Sequence, residues 1–471
     1  MIYKRINRME QKQRSRYMNW DMVKVILALA WPTVVEQAMQ TAVQYIDTAM
    51  VGSLGTQATA AVGATSTVNW LISGSIGALG IGFLAFIAKA CGAGDKAEAK
   101  KSVSQAVFVT LVVGVLFTAL TLGLSGYIPV WMQVDKGIRA LASQYFFILY
   151  LPMLPRTATI IFGTVLRAAG DTKTPMKVGV AVNIINVVLN FLLIYETRQV
   201  SLFGFEFTMF GAGWGVLGAA AASAVAFAVG GIYITVVLWR HPMVSPKGQS
   251  IKPDMEILRP CLKVAVPNML QRFGTSLGYV AFASMINSVG EIATAAHTIA
   301  NTVESAFYIP GFGMQTAAAT LAGNAYGAKD NRRMKETAAM FIPIVVGLMV
   351  LTGGALFLSA PALMGIFSKS DEVISLGSQV LRMVALSEPF YGFSIIVEGF
   401  LMGVGKTHIP FKFNIVGMWG VRIIGTFICT QLLGYGLISA WACMIAHNLL
   451  LFVLYLICYI KGSWNPLKDR D

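Results

Sequence analysis

The chain has 471 residues, of which 56% are apolar and only 12% charged, and its mean hydropathy is +0.66. Soluble domains carry roughly a quarter of charged residues, so this balance excludes an ordinary water-soluble globule. The net charge of +14 does not mark a nucleic-acid binder, because the basic residues fall in short clusters between apolar runs, the pattern of loops that flank membrane spans.

In chain order, apolar runs occupy about 22–48, 60–88, 103–125, 140–165, 176–195, 213–239, 260–286, 293–322, 338–360, 374–402, 411–432 and 436–460. A span needs roughly 20 apolar residues. Only helices and closed barrels satisfy their backbone groups in lipid, and runs this long without two-residue alternation are helices. The expected fold is an all-α integral membrane protein of twelve transmembrane helices. Met1–Asp21 is polar and basic, and the first apolar run is too long for a signal-peptide core. Of the 36 Lys and Arg residues, 28 lie in the termini and the even-numbered loops, among them Lys96, Lys100, Lys101, Arg332 and Arg333. The opposite loops hold Lys136, Arg139, Arg198 and Lys369, while Arg156, Arg272, Arg382 and Arg422 fall inside spans. The positive-inside rule then puts both termini in the cytoplasm of a cell in whose plasma membrane the chain sits. The five cysteines have neither metal-ligand nor disulfide spacing.

The two halves repeat. Pro32 and Pro267 are 235 residues apart, and the same offset pairs Gly55–Ala61 with Gly290–Ala296 and Gly92–Asp95 with Gly327–Asp330. It also pairs Leu166, Gly170, Thr172 and Pro175 with Leu401, Gly405, Thr407 and Pro410, and Gly213–Leu217 matches Gly434–Ile438 at a shorter offset. Six spans return a chain to its starting side, so the copies are parallel lobes related by a pseudo-two-fold axis along the membrane normal, with the substrate path between them. The expected organisation is a tail at 1–21, lobes at 22–240 and 257–461, a linker at 241–256 and a tail at 462–471. Pro32 and Pro267 lie inside the first span of each half. Each frees a backbone carbonyl, giving either a static curve or a bend that changes during transport.

Several segments carry a family resemblance. They are Leu166-Arg167-Ala168-Ala169-Gly170-Asp171-Thr172-Lys173-Thr174-Pro175-Met176, Asp47-Thr48-Ala49-Met50-Val51-Gly52-Ser53-Leu54-Gly55, Pro310-Gly311-Phe312-Gly313-Met314 and Gly323-Asn324-Ala325-Tyr326-Gly327-Ala328. From Ala30 to about Asn448 the chain resembles the multidrug and toxic compound extrusion (MATE) transporters. The resemblance implies export of lipophilic, often cationic, small molecules by alternating access, driven by H⁺ or Na⁺. No other cofactor and no nucleic acid are expected, and the chain is expected to work as a monomer in the bilayer.

A charged side chain deep in lipid costs a few kcal/mol or more, so each one calls for a role. Asp47, near the outer end of span 1, reads either as a carboxylate in interfacial water or as a cation site. The resemblance implies the second, because the family's first-span aspartate, fifteen residues after the proline, binds the coupling cation in the N-terminal lobe. Asn183, Asn186 and Asn190 share one face of span 5, where bonding between helices is the alternative. The resemblance makes Asn186, Asn190 and Ser223 partners of Asp47, although Asn190 stands where the family often has Asp.

Glu36, Gln40 and Gln44 form a stripe on span 1 that suits a substrate cavity, joined from the second half by Gln271, Arg272, Asn301, Glu304 and Glu388. Glu304 either pairs with a span arginine such as Arg272 or meets substrate. Thr275 and Tyr391 stand where one Na⁺-coupled branch carries acids, and Glu398 reads as a solvated acid near the cytoplasmic end or as a buried one.

Gly405-Lys406-Thr407 is not a phosphate loop, since Phe400 replaces its first glycine, so no ATPase is expected. The four histidines are scattered without H-E-x-x-H spacing, which argues against an intramembrane metalloenzyme. Major-facilitator transporters also have two parallel six-span halves, but the Gly92–Ala97 loop lacks their charged motif. A lipid-linked precursor flippase of the same superfamily is the remaining alternative.

Overall fold

The computed structural model describes residues 20–132, 134–202 and 205–469. Most of the expected N-terminal tail lies outside the described residues.

Spans 1 to 3 are Trp20–Gly52, Thr56–Ala93 and Lys96–Leu124, and span 4 is the pair Arg139–Tyr150 and Met153–Ala168. Spans 5 and 6 are Lys173–Leu193 and Gly215–Arg240. In the second half, spans 7 to 9 are Met255–Asn287, Glu291–Gly327 and Asn331–Phe367, and span 10 is the pair Asp371–Ala385 and Glu388–Gly403. Spans 11 and 12 are His408–Leu432 and Leu437–Ile460. By length and composition eight of these helices can cross a bilayer, or ten when each bent pair counts as one. The other two, spans 7 and 8, are long enough at 33 and 37 residues. Their apolarity falls short because they carry Asn268, Gln271, Arg272, Asn301 and Glu304.

One element departs from the all-helical expectation. Between spans 5 and 6, β1 (Glu196–Leu202) and β2 (Phe205–Ala212) pair antiparallel. The segment is too polar to stay in lipid, and its Thr, Val and Phe content favours strands, so its backbone groups pair with each other. This hairpin marks one end of the bundle; the start of span 1 and the end of span 12 mark the other.

The repeat extends to the backbone. Positive φ occurs at Gly55 and Gly290, at Gly94 and Lys329, at Gly170 and Gly405, and at Gly213 and Gly434. The first three pairs keep the 235-residue offset. Lys329 adopts φ 54°, a left-handed conformation that costs a residue with a Cβ about 1–2 kcal/mol. Asp95 caps span 3 through the Glu98 amide (2.9 Å), and its mate Asp330 caps span 9 through the Arg333 amide (2.8 Å). Spans 4 and 10 bend by 51° and 52° at Leu151–Pro152 and Leu386–Ser387, again 235 residues apart. Spans 1 and 7 are continuous helices through Pro32 and Pro267. Pro152 and Pro389 sit beside the breaks of spans 4 and 10, where a proline ring and its missing N–H are tolerated.

The lobes meet tightly toward the end where span 1 begins and span 12 finishes. A Cβ on Gly92 would strike the Asn324 backbone, one on Gly327 would strike the Lys89 carbonyl, and one on Gly313 would stand 2.7 Å from the Val34 nitrogen. Only glycine permits such backbone approach. Ile26 and Leu29 of span 1 also join the second lobe's core around Phe341, Phe400 and Tyr455. Toward the hairpin end the seam opens, and Gln40, Gln44, Trp70 and Asn301 are exposed. There Tyr45 still reaches across, its hydroxyl donating to the Thr302 carbonyl (3.2 Å).

Candidate functional site

Span 1 brings Asp47 against spans 5 and 6. Asn190 Nδ2 donates to Asp47 Oδ1 (2.6 Å), and the half-buried carboxylate stands beside the buried Asn186. Asn186 lies 2.9 Å from both Ser223 Oγ and Asp47 Oδ1. With its amide nitrogen toward Asp47 and its oxygen accepting from Ser223, both contacts are satisfied, because a carboxylate only accepts. Asn190 Oδ1 is buried without a partner. Asp47, Asn186, Asn190 and Ser223 therefore form one group: a carboxylate, two amides and a hydroxyl converging from three helices. Asn183, on the same face of span 5, is buried with its Nδ2 unpartnered.

The floor of the cleft is built differently from the expectation. Glu36 is buried and paired with Arg167 (2.5 Å), against Gly179 of span 5. It is thus a packing ion pair of the first lobe, removed from the cleft, while Gln40 and Gln44 further along the stripe are exposed. Thr33 Oγ1 and Thr320 Oγ1 cross the seam to the Gly313 and Arg167 carbonyls (2.7 and 3.3 Å). Gln271, the repeat mate of Glu36, is buried and donates to Glu398 Oε1 (2.8 Å). Glu398 is only partly buried, and Gln271, Asn414 and Tyr455 all reach it, so it is a bonded acid of the second lobe rather than a solvated one. Arg272 and Asn301 are exposed.

Glu304 does not pair with Arg272. It is buried within electrostatic reach of Glu388 and of Arg422 on span 11. His297 and His447 lie within electrostatic reach of the same guanidinium, and Tyr279 and Phe282 lie under it at 5.3 and 5.4 Å. Trp441 Nε1 donates to His297 Nδ1 (3.2 Å). Glu388 Oε2, Arg422 Nε and both His447 nitrogens are buried and unpartnered. Span 11 is π-helical over Val416–Ile423, a widening that is rare and often functional. Glu304 and Glu388 thus belong to the interior of the second lobe, not to the cleft wall. Arg156, which the spacing of polar residues did not single out, is the first lobe's buried cation. It donates to Asn69 Oδ1 (2.6 Å) and Ser73 Oγ (2.9 Å) and lies over the Phe227 ring. Lys406, read as no phosphate-loop lysine, is spent on the Ser463 carbonyl (2.7 Å).

A family model described as MatE matches residues 32–192 and 267–428, which together exceed half the chain and begin at the repeat-mate prolines. The chain belongs to the MatE family. Among MatE proteins it is similar to the probable multidrug resistance protein NorM of Thermotoga maritima, at 27% identity over 451 residues and 94% of each chain. The uncharacterized transporter YisQ of Bacillus subtilis is 24% identical over 91% of this chain and 92% of its own. A multidrug resistance MATE family transporter solved in an outward-facing conformation superposes with TM-score 0.86 at 22% identity, covering 97% of this chain and all of that one. MATE in complex with MaD3S gives TM-score 0.85 at 23% identity, covering 95% and 97%. The MatE chain is therefore a multi-pass membrane transporter with twelve membrane-spanning segments in two six-span lobes, as the hydropathy and the repeat predicted.

Proposed function

We propose that this MatE chain is a secondary antiporter that exports lipophilic or cationic compounds in exchange for H⁺ or Na⁺, with both termini in the cytoplasm. In that orientation the present conformation is open to the outside and shut toward the cytoplasm. The observation that carries the reading is the Asp47 group. An ionised Asp47 accepts from Asn190 and Asn186. A proton arriving there converts one carboxylate oxygen into a donor, for which the free Asn190 Oδ1 is the ready acceptor. Sodium, a hard cation, suits the same oxygens. Either occupant cancels the charge and rearranges the bonds that hold span 1 to spans 5 and 6. Span 1 also carries Thr33 and Tyr45, which bond to span 8 across the seam, so a shift at Asp47 bears on contacts between the lobes. The exposed Gln40 and Gln44 offer amide oxygens to a cation in the cleft.

Purified protein in liposomes is expected to move a fluorescent cationic dye under an imposed pH or Na⁺ gradient, and imposing each alone identifies the ion. Asp47→Asn is expected to bind the dye but to lose gradient-driven movement. Transport at the wild-type rate in that variant refutes the role of Asp47.

A further inference from the structure

The wall between spans 2 and 7 carries a charge that this cycle does not use. Cys261, Ala265, Asn268, Arg272 and Tyr279 recur along span 7 at steps of four, three, four and seven residues, so they share one face. That face meets span 2: the Cys261 carbonyl stands 2.6 Å from where a Cβ on Gly82 would be, and Arg272 Cδ 3.8 Å from the same point on Gly74. The seam is shut at Gly82 and opens from Gly74 toward the hairpin end. Arg272 is exposed there, Trp70 one turn further along span 2 is 65% exposed, and Tyr279 two turns further along span 7 is 50% exposed.

Arg272 Nε donates to the buried Asn268 Oδ1 (3.2 Å), which fixes the side chain, while both terminal nitrogens lack a bonded partner among the described residues. The acid within electrostatic reach of Arg272 is already engaged. That acid, Glu398, takes a hydrogen bond from Gln271 (2.8 Å), and Glu36 and Asp47 have their own partners in Arg167 and Asn190. A guanidinium anchored at one nitrogen and free at two presents the planar donor fork that matches an oxyanion, and Trp70 and Tyr279 add aromatic surface beside it. The repeat mate of Arg272 is Gln37, so the charge lies on one wall only.

We infer that the cleft takes lipophilic anions, with an oxyanion (carboxylate, sulfonate or phosphate) held by Arg272 and an apolar body lying toward Trp70 and Tyr279. This rests on the export reading and deepens it by naming a substrate class. The oxyanion can belong to a soluble aromatic anion or to a lipid headgroup, and the test separates the two.

Liposomes holding the full chain are given three fluorescent probes in turn under the same imposed gradient: a phenanthridinium cation, a naphthalene sulfonate and a short-chain phosphatidylglycerol. Wild-type protein is expected to move the cation and the sulfonate. Arg272→Gln is expected to weaken sulfonate binding about tenfold or more relative to cation binding, with Arg272→Lys, which keeps charge without the fork, falling between. Movement of phosphatidylglycerol but not sulfonate, lost in Arg272→Gln, identifies a lipid headgroup as the bound oxyanion. Movement of the cation with neither anion overturns the inference and leaves the export reading standing, whereas movement of no probe overturns both. Equal sulfonate binding by the wild type and Arg272→Gln also overturns it.

Discussion

In the first lobe the buried guanidinium, Arg156, is bonded to an amide and a hydroxyl, Asn69 and Ser73. In the second lobe the buried guanidinium, Arg422, faces Glu304, with Glu388 beside that acid. The 235-residue offset shows how the two diverged: Asp47 answers to Phe282, Asn69 to Glu304, Met153 to Glu388 and Arg156 to Tyr391. The turns, caps and bends repeat faithfully, because they meet backbone demands that both lobes share. The interior charges meet no such demand. The first lobe therefore keeps Asp47 among amides at the edge of the cleft, with Glu36 paired to Arg167, whereas the second keeps Glu304 and Glu388 inside, with Glu304 within electrostatic reach of both Glu388 and Arg422.

Four substitutions would break or sharpen this contrast. The largest effect is expected from Arg422→Leu, which strips Glu304 of its nearby cation. Leaving a buried acid uncompensated costs about 3–5 kcal/mol, read as a loss of thermal stability in detergent. Arg156→Leu is expected to cost less, about 1–3 kcal/mol, because the groups it abandons are neutral. Equal losses in the two variants would erase the distinction between the lobes. Asn190→Asp puts a second carboxylate against Asp47, where the Asn190 amide now lies 2.6 Å away. Two carboxylates in contact resist ionising together, so the pH midpoint of transport is expected to rise by about one unit or more, measured as dye movement against pH. An unchanged midpoint would remove Asp47 and its neighbour from the proton path. Lys329→Gly restores the residue type of its mate Gly94 at a positive φ, and a gain of up to about 1 kcal/mol in stability is expected.

Much of the architecture was legible before any coordinates. Hydropathy placed every span, since burial in lipid is decided locally by composition, with ends off by as much as seven residues where polar turns such as Lys96–Lys101 and Asn331–Thr337 extend span 3 and span 9 beyond the apolar run. The repeat was readable because its glycines and caps hold the backbone in fixed shapes. The Asp47, Asn186, Asn190 and Ser223 group was reached through family resemblance rather than spacing, as its members lie on three helices. What the sequence alone determined is the number of spans, their order and the two-fold repeat, all consequences of interactions within a turn or two of helix. Only the tertiary structure decided which charges meet. Glu36 is claimed by Arg167, 131 residues away; Glu304 faces Arg422 instead of Arg272; Glu398 is bonded to Gln271 rather than left to solvent; and Arg272 is left free at the open seam. Pairing inside a bundle depends on how neighbouring helices are rotated and where spans 4 and 10 bend, and neither is fixed until helices pack against one another.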